Sequence, residues 1–148
     1  MALRACGFIV FRRLALREPP PANIEFLLLQ TPYGGHHWTP PKGHVDPGED
    51  DFTTALRETK EEAGLGEEHL RVIDGFLHNL KYEVQGKPKE VLYWLAELKD
   101  PKTVVTLSEE HQDYRWSGLD EACALAQYKD LQETLRAAQR HLEATEWK

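Results

Sequence analysis

The sequence predicts an α/β fold of the α+β kind, a mixed β-sheet sandwiched between α-helices. Strand-like apolar runs fill the start and the middle of the chain, and helical periodicity occupies two other segments. One strand is also apolar on both faces: Val91, Tyr93 and Leu95 alternate with Leu92, Trp94 and Ala96. Such a strand belongs at the centre of a sheet that is covered twice.

In chain order, "ACGFIVFRR" (5–13) reads as a first strand and "IEFLLLQT" (Ile24–Thr31) as a second. "REPPPAN" between them is a surface turn, because three consecutive prolines cannot join a hydrogen-bonded ladder. Tyr33 to Glu49 holds four glycines and three prolines and reads as a long irregular segment, a kind that is often functional. A helix follows, capped by Asp50 or Asp51 and ended by Gly64. Residues 71–84 and 88–99 read as strands joined through "QGK", with "TVVTL" and "DYRWSGL" as shorter ones. From Asp120 to about Leu142 the pattern is helical, with a break near Gln127–Lys129. No repeat or linker divides the chain, so residues 1–148 are expected to form one domain.

A chain of 148 residues can bury roughly two-thirds of its unfolded surface. The net charge of -7 argues against a general nucleic-acid surface, which needs a positive field. A small anionic substrate would need a local lysine pocket or a bound cation. Cys6 and Cys123 fit no paired zinc-ligand motif and read as small buried thiols. The apolar start is too short to span a bilayer and lacks signal-peptide order. Arg4, Arg12 and Arg13 would suit organelle targeting, but a strand fits that segment better. The expectation is a monomeric protein with no membrane partner, cytoplasmic, with mitochondrial or nuclear location as alternatives.

On the first helix Phe52, Ala55, Leu56, Thr59 and Ala63 make one stripe, which is expected to face the sheet. Glu58, Glu61 and Glu62 lie on another side, within an arc of about 100° at helical pitch. Without a cation these like charges repel, a cost that Arg57 can reduce by pairing with Glu61. A solvated acidic face is the simpler reading of the helix alone. The Gly/Pro-rich loop before it and Lys42 favour a site. A carboxylate set suits Mg²⁺ or Mn²⁺ and phosphoryl chemistry.

"GHVDPGEDDFTTALRETKEEAGL" (residues 43–65) resembles the Nudix box. Gly43, Glu49, Arg57-Glu58, Glu61-Glu62, Gly64 and Leu65 occupy its fixed positions, and Thr59 stands where an aliphatic residue is expected. "MALRACGFIVFRR", "IEFLLLQTPYGGHHWTPPKGHVDPGE" and "YWLAELKD…EEHQDYRW" resemble the branch of the Nudix family that cleaves diadenosine tetraphosphate asymmetrically. The resemblance implies the fold stated above and Mg²⁺ as cofactor, with Mn²⁺ as substitute. It implies metal ligation by Glu58, Glu61, Glu62 and Glu110, with Arg57 orienting carboxylates. His37, Lys42 and Lys89 are implied to meet phosphate, and Tyr82 and Tyr128 to clasp an adenine. Trp38, Trp94 and Trp116 are assigned mainly to the core. The alternatives are a Nudix activity on capped or 5′-polyphosphorylated RNA, a non-catalytic nucleotide-binding module, and a structural protein with an acidic helix.

Overall fold

The computed structural model describes residues 3–14, 23–31, 37–109 and 111–145. Its spine is a parallel pair, β1 (Leu3–Arg13) and β7 (Lys87–Leu98), in register from Leu3–Lys89 to Phe11–Glu97. Antiparallel to β1 run β2 (Ile24–Gln30) near its C-terminal end and the three-residue β4 (Lys42–His44) near its N-terminal end. β3 (Trp38–Thr39) and β8 (Asp113–Ser117) pair with β2, while β5 (Leu70–Val72) and β6 (His78–Val84) pair with β7. Among the described residues these eight strands make one mixed sheet.

Strand alternation divides the core into two layers. Ala5, Ile9, Phe11, Val91, Tyr93 and Leu95 face one way, against α2 (Leu119–Ala126) and α3 (Lys129–Thr145). Cys6, Phe8, Val10, Leu92 and Ala96 face the other way, against α1 (Asp51–Ala63). The doubly apolar strand is therefore central, and the sheet lies between helices as the sequence predicts. No helix among the described residues is long and apolar enough to cross a membrane.

Several local expectations change. Residues 71–84 split into β5 and β6 around Gly75, whose φ of 81° turns the chain. "TVVTL" (103–107) forms no strand. It is an extended strap that buries Val105 against the α1 layer, and its Thr106 N–H donates to the Ala63 carbonyl at the end of α1. The segment expected to be irregular supplies β3 and β4. Phe52 lies at the rim, 37 % exposed, with its ring edge-on to Phe8 and Trp94. The three tryptophans are half-buried at the core margin. Arg12 covers Trp116 and Arg115 covers Trp38, which spares both rings full exposure. The break between α2 and α3 falls where expected, at Gln127 with φ 68°. Six residues of "REPPPAN" (17–22), and residues 32–36, lie outside the described residues.

The turn–helix–turn from Gly43 to Leu65 is held at both ends. Asp50 caps α1 by accepting from the Thr53 amide at 2.8 Å, and Gly64 ends it in the left-handed region at φ 72°. Arg57 fastens the preceding loop to the helix. Its Nε and Nη2 donate to the two Glu49 oxygens at 2.8 and 3.0 Å, and Nη2 also donates to the His44 carbonyl at 3.1 Å. Thr54 Oγ1 donates to the same carboxylate at 2.6 Å. Thr59 takes its expected place in the core, but among the described residues its fully buried hydroxyl has no hydrogen-bond partner. Such a group carries an uncompensated desolvation cost of about 1–3 kcal/mol.

Two predictions come from this frame. Thr59→Val should raise stability by about 1–2 kcal/mol, because it removes that hydroxyl without changing shape. An unchanged or lower melting temperature would refute the account. The second concerns Glu49, whose carboxyl is held down from 4.5 to about 2, first by hydrogen bonds from Arg57 and then from Thr54. A depressed carboxyl contributes fully above its unfolded pKa, and the contribution is lost as pH falls through the folded one. Between pH 4.5 and 2, the melting temperature of wild type should therefore fall more steeply than that of Glu49→Gln. Parallel curves would contradict this.

Candidate active site

The site is organised by the three residues of β4. Lys42 pairs with Gly7, Gly43 with Cys6, and His44 with Ala5, so Lys42 and His44 share the α2–α3 face of the sheet. Lys89 joins that face through its pairing with Leu3, and Tyr82 joins it through its pairing with Lys89. Gly43 alone points toward α1. A Cβ there would lie 2.0 Å from Glu58 Cδ, so the missing side chain is the place the Glu58 carboxylate fills. Gly7 is needed for a related reason. A Cβ on it would lie 2.0 Å from the Pro41 carbonyl oxygen, so only glycine lets β4 approach β1 this closely.

Basic and acidic groups thus meet across the plane of the sheet. They line one cavity of about 550 Å³ with Lys42, His44 and Lys89 on its walls beside Glu58, Glu61 and Glu62. Thr31, Thr39, Asp46, Ser108, Glu109 and His111 complete the lining. Five of the ten residues singled out from sequence therefore converge here. Arg57 stands behind the carboxylates, with Nη1 donating to Glu58 at 3.0 Å and to Glu61 at 3.2 Å. The expected Arg57–Glu61 pair is present, although Glu49 is the stronger partner. Glu62 is nearly buried and accepts from the Lys42 amide at 3.0 Å. Glu110 lies outside the described residues.

His37, Tyr82 and Tyr128 make a separate group that does not line the cavity. Tyr128 Oη is 3.2 Å from His37 Nε2, and the two rings meet edge-on with centroids 5.2 Å apart. Burial pushes the Tyr82 hydroxyl pKa up, and the charges of Asp130 and Tyr128 add to the shift. Both tyrosines are partly open to solvent, 36 % and 54 % exposed. Exposed aromatic faces held this way suit stacking on a planar base. Tyr82 sits directly across from Lys89 in the ladder, so the aromatic group adjoins the cavity.

The electrostatics of the cavity favour an anion. Burial pushes the Lys42 ammonium down, and Lys89 pushes it further, while Glu62 and Glu58 oppose the shift. Burial also lowers Lys89. A polyanion lying between two such lysines opposes that shift and favours their charged form. The carboxylates opposite are hard oxygen donors, the chemistry that Mg²⁺ or Mn²⁺ takes. Gly43 leaves room for one of them at the sheet surface, so the residues present fit such an ion. Among the described residues no three acidic, histidine or cysteine side chains already converge at ligand spacing. Glu58 and Glu61 share Arg57 Nη1, while Glu62 accepts from the Lys42 amide.

Sequence reasoning missed His44, Ser108 and His111. Ser108 Oγ lies 3.3 Å from His111 Nδ1, His111 Nε2 lies 4.0 Å from Glu62, and the Ser108 amide donates to the Glu62 carbonyl. The "SEEHQ" turn is therefore fastened to the last turn of α1. The one signal for it in the sequence is its run of polar residues.

Comparison with known proteins adds an independent line. Residues 15–143 match the NUDIX domain. The chain is 56 % identical over 145 residues to the asymmetrical bis(5′-nucleosyl)-tetraphosphatase of Mus musculus, covering 98 % of this chain and 99 % of that protein. It is 48 % identical over 136 residues to the protein of the same description from Caenorhabditis elegans, covering 92 % and 94 %. The crystal structure of a C. elegans Ap4A hydrolase binary complex superposes with a TM-score of 0.89 at 46 % identity, covering 97 % of this chain and 99 % of that one. Extending from one end of the fold to the other, this similarity means that the chain belongs to the Nudix family.

Proposed function

We propose that this chain hydrolyses diadenosine tetraphosphate asymmetrically, consuming one water and releasing ATP and AMP. The observation that carries this is its similarity to asymmetrical tetraphosphatases over nearly the full length of both partners. The cavity supports it, because its paired lysines and carboxylates suit a metal-bound polyphosphate and the neighbouring tyrosines suit a purine.

Glu58, Glu61, Glu62 and Glu110 would hold Mg²⁺, for which Mn²⁺ would substitute. Such an ion, when bound, neutralises phosphate charge and lowers the pKa of a coordinated water. The protein's own groups do the rest. Lys42 and Lys89 grip phosphate oxygens from the opposite wall, and the anion offsets the burial that disfavours their charged form. Tyr82 and Tyr128 stack on one adenine, with His37 fixing the Tyr128 hydroxyl. Arg57 holds Glu58 and Glu61 in place and is turned away from substrate by its bonds to Glu49. Water attacks the phosphorus next to one adenosine, the bridging P–O bond breaks, and the leaving oxygen departs as ATP. Positioning and electrostatic stabilisation supply the rate, with no covalent intermediate.

Chromatography after incubation with diadenosine tetraphosphate and Mg²⁺ should show equal amounts of ATP and AMP, whereas two ADP would refute the asymmetric reading. Glu58→Gln should lower kcat by more than about tenfold under saturating Mg²⁺, the scale of one transition-state contact. A smaller loss removes Glu58 from the machinery. Gly43→Ala should fold normally, because the flexible end of Glu58 can yield to the new methyl. It should still lose activity, because that carboxylate is displaced. Full activity in a normally folded Gly43→Ala would show that the close approach has no catalytic purpose.

A further inference from the structure

The two tyrosines of the aromatic group stand on different elements. Tyr82 belongs to β6, while Tyr128 directly precedes α3, where its carbonyl accepts from the Gln132 amide at 2.9 Å. Whatever fixes α3 against β6 therefore fixes one ring against the other. Leu80 of β6 shares a buried apolar layer with Leu131, Leu135 and Ala138 of α3, and such packing has no preferred direction. One directional contact interrupts it. Thr134 of α3 is fully buried, and its Oγ1 lies 2.9 Å from His78 Nδ1 on β6. The Thr134 hydroxyl donates to the Asp130 carbonyl at 3.0 Å, so His78 Nδ1–H is the donor between the two side chains. Burial pushes the His78 pKa down, against the pull of Glu133, so the ring is neutral at neutral pH and that N–H is its single one. Phe76 steadies the ring by stacking on it, with centroids 6.3 Å apart.

We propose that the His78–Thr134 hydrogen bond positions the adenine clasp, holding α3 against β6 so that Tyr82 and Tyr128 stand ready to receive a base. The proposal rests on the tetraphosphatase reading above. His78 and Tyr82 lie on one face of β6, opposite Tyr93 and Lys89, and Thr134 lies on the helix that Tyr128 opens. Strand, hydrogen bond and helix thus form a closed path from one ring to the other. A hydrogen bond weakens steeply with distance and angle, so a shift of α3 along β6 costs this bond before it costs much apolar contact. His141 Nε2, 2.9 Å from the Asp74 carbonyl, ties α3 down only near its far end. The head of the helix depends on Thr134. A clasp already spaced loses less freedom when the base arrives, which is a gain in affinity. Neither residue lines the cavity, so both are positioning residues that act through the tyrosines.

The probes are ATP and inorganic tripolyphosphate, which share a phosphate chain and differ by the nucleoside. Thr134→Val and His78→Phe each remove the bond while keeping most of the side-chain shape. Each should weaken ATP binding, measured by calorimetry without divalent cation, by about fivefold, the scale of one neutral hydrogen bond. Tripolyphosphate binding should stay within about twofold. KM for diadenosine tetraphosphate should rise by a similar factor as the ATP loss, with kcat little changed. Thr134→Ser and His78→Asn, which restore a hydroxyl and an N–H, should recover most of the loss. The double variant of Thr134→Val and His78→Phe should lose no more than either alone. In wild type, ATP should shift the His78 ring resonances and tripolyphosphate should not, a measurement that needs no variant to fold. Unchanged ATP affinity, equal losses for both probes, a loss that neither conservative variant recovers, additive losses in the double variant, or ring resonances indifferent to ATP would each overturn the proposal. Wild type that makes no ATP and AMP would refute the tetraphosphatase reading instead, and the two binding measurements would then decide the positioning role on their own.

Discussion

The geometry of the site depends on one constraint, the alternation of side chains along three residues of β4. Pinned antiparallel to β1, Lys42-Gly43-His44 must send two side chains to one face of the sheet and leave a gap on the other. The gap admits the Glu58 carboxylate, and the opposite face receives the basic groups. A register slip of one residue would turn Lys42 and His44 toward α1 and place Gly43 on the face of Lys89. The β4 register is in turn set by Gly7, whose bare Cα lets the Pro41 carbonyl close on β1.

Arg57 solves the second problem, which is electrostatic. Three glutamates within two helical turns repel one another, and α1 would fray or splay its side chains without a counter-charge. The guanidinium spans Glu49, Glu58 and Glu61, with Asp46 at 3.3 Å, so one planar fork neutralises the loop and the helix together. A lysine, with its single compact charge, could not hold so many oxygens in fixed directions. Arg57 and the Lys42 amide are the partners these carboxylates would share with a divalent ion.

Much of this was legible in the sequence, and the legible part is local. Asp50 and Gly64 mark the ends of α1 by capping chemistry, Arg57 and Glu61 are one helical turn apart, and the β7 pattern declares a buried central strand. What was not legible depends on pairings distant in sequence. That Lys89 shares a face with Lys42 follows from Leu3 lying opposite Lys89 and Gly7 opposite Lys42, registers that no short window contains. His44 was missed for that reason. "TVVTL" misled because β-branched residues favour extended backbone whether or not a ladder partner exists. Here the partners are the last carbonyls of α1, which need donors as much as any strand edge does.

That strap also bears on how the site stays assembled. The Thr106 and Ser108 amides donate to the carbonyls of Ala63 and Glu62, so the turn carrying Glu109 and His111 moves with the helix end that carries Glu61 and Glu62. Gly64 permits the contact, since a Cβ there would lie 2.9 Å from the Thr106 side chain, besides being strained by its positive φ. The acidic wall is thereby one rigid unit, and the basic wall, carried by β4 and β7 across β1, is another. The local charge pattern differs from that of the whole acidic chain because these units face each other over one cavity. Within it Lys42 and Lys89 act at short range, and the net charge of -7 acts only from a distance, where salt screens it.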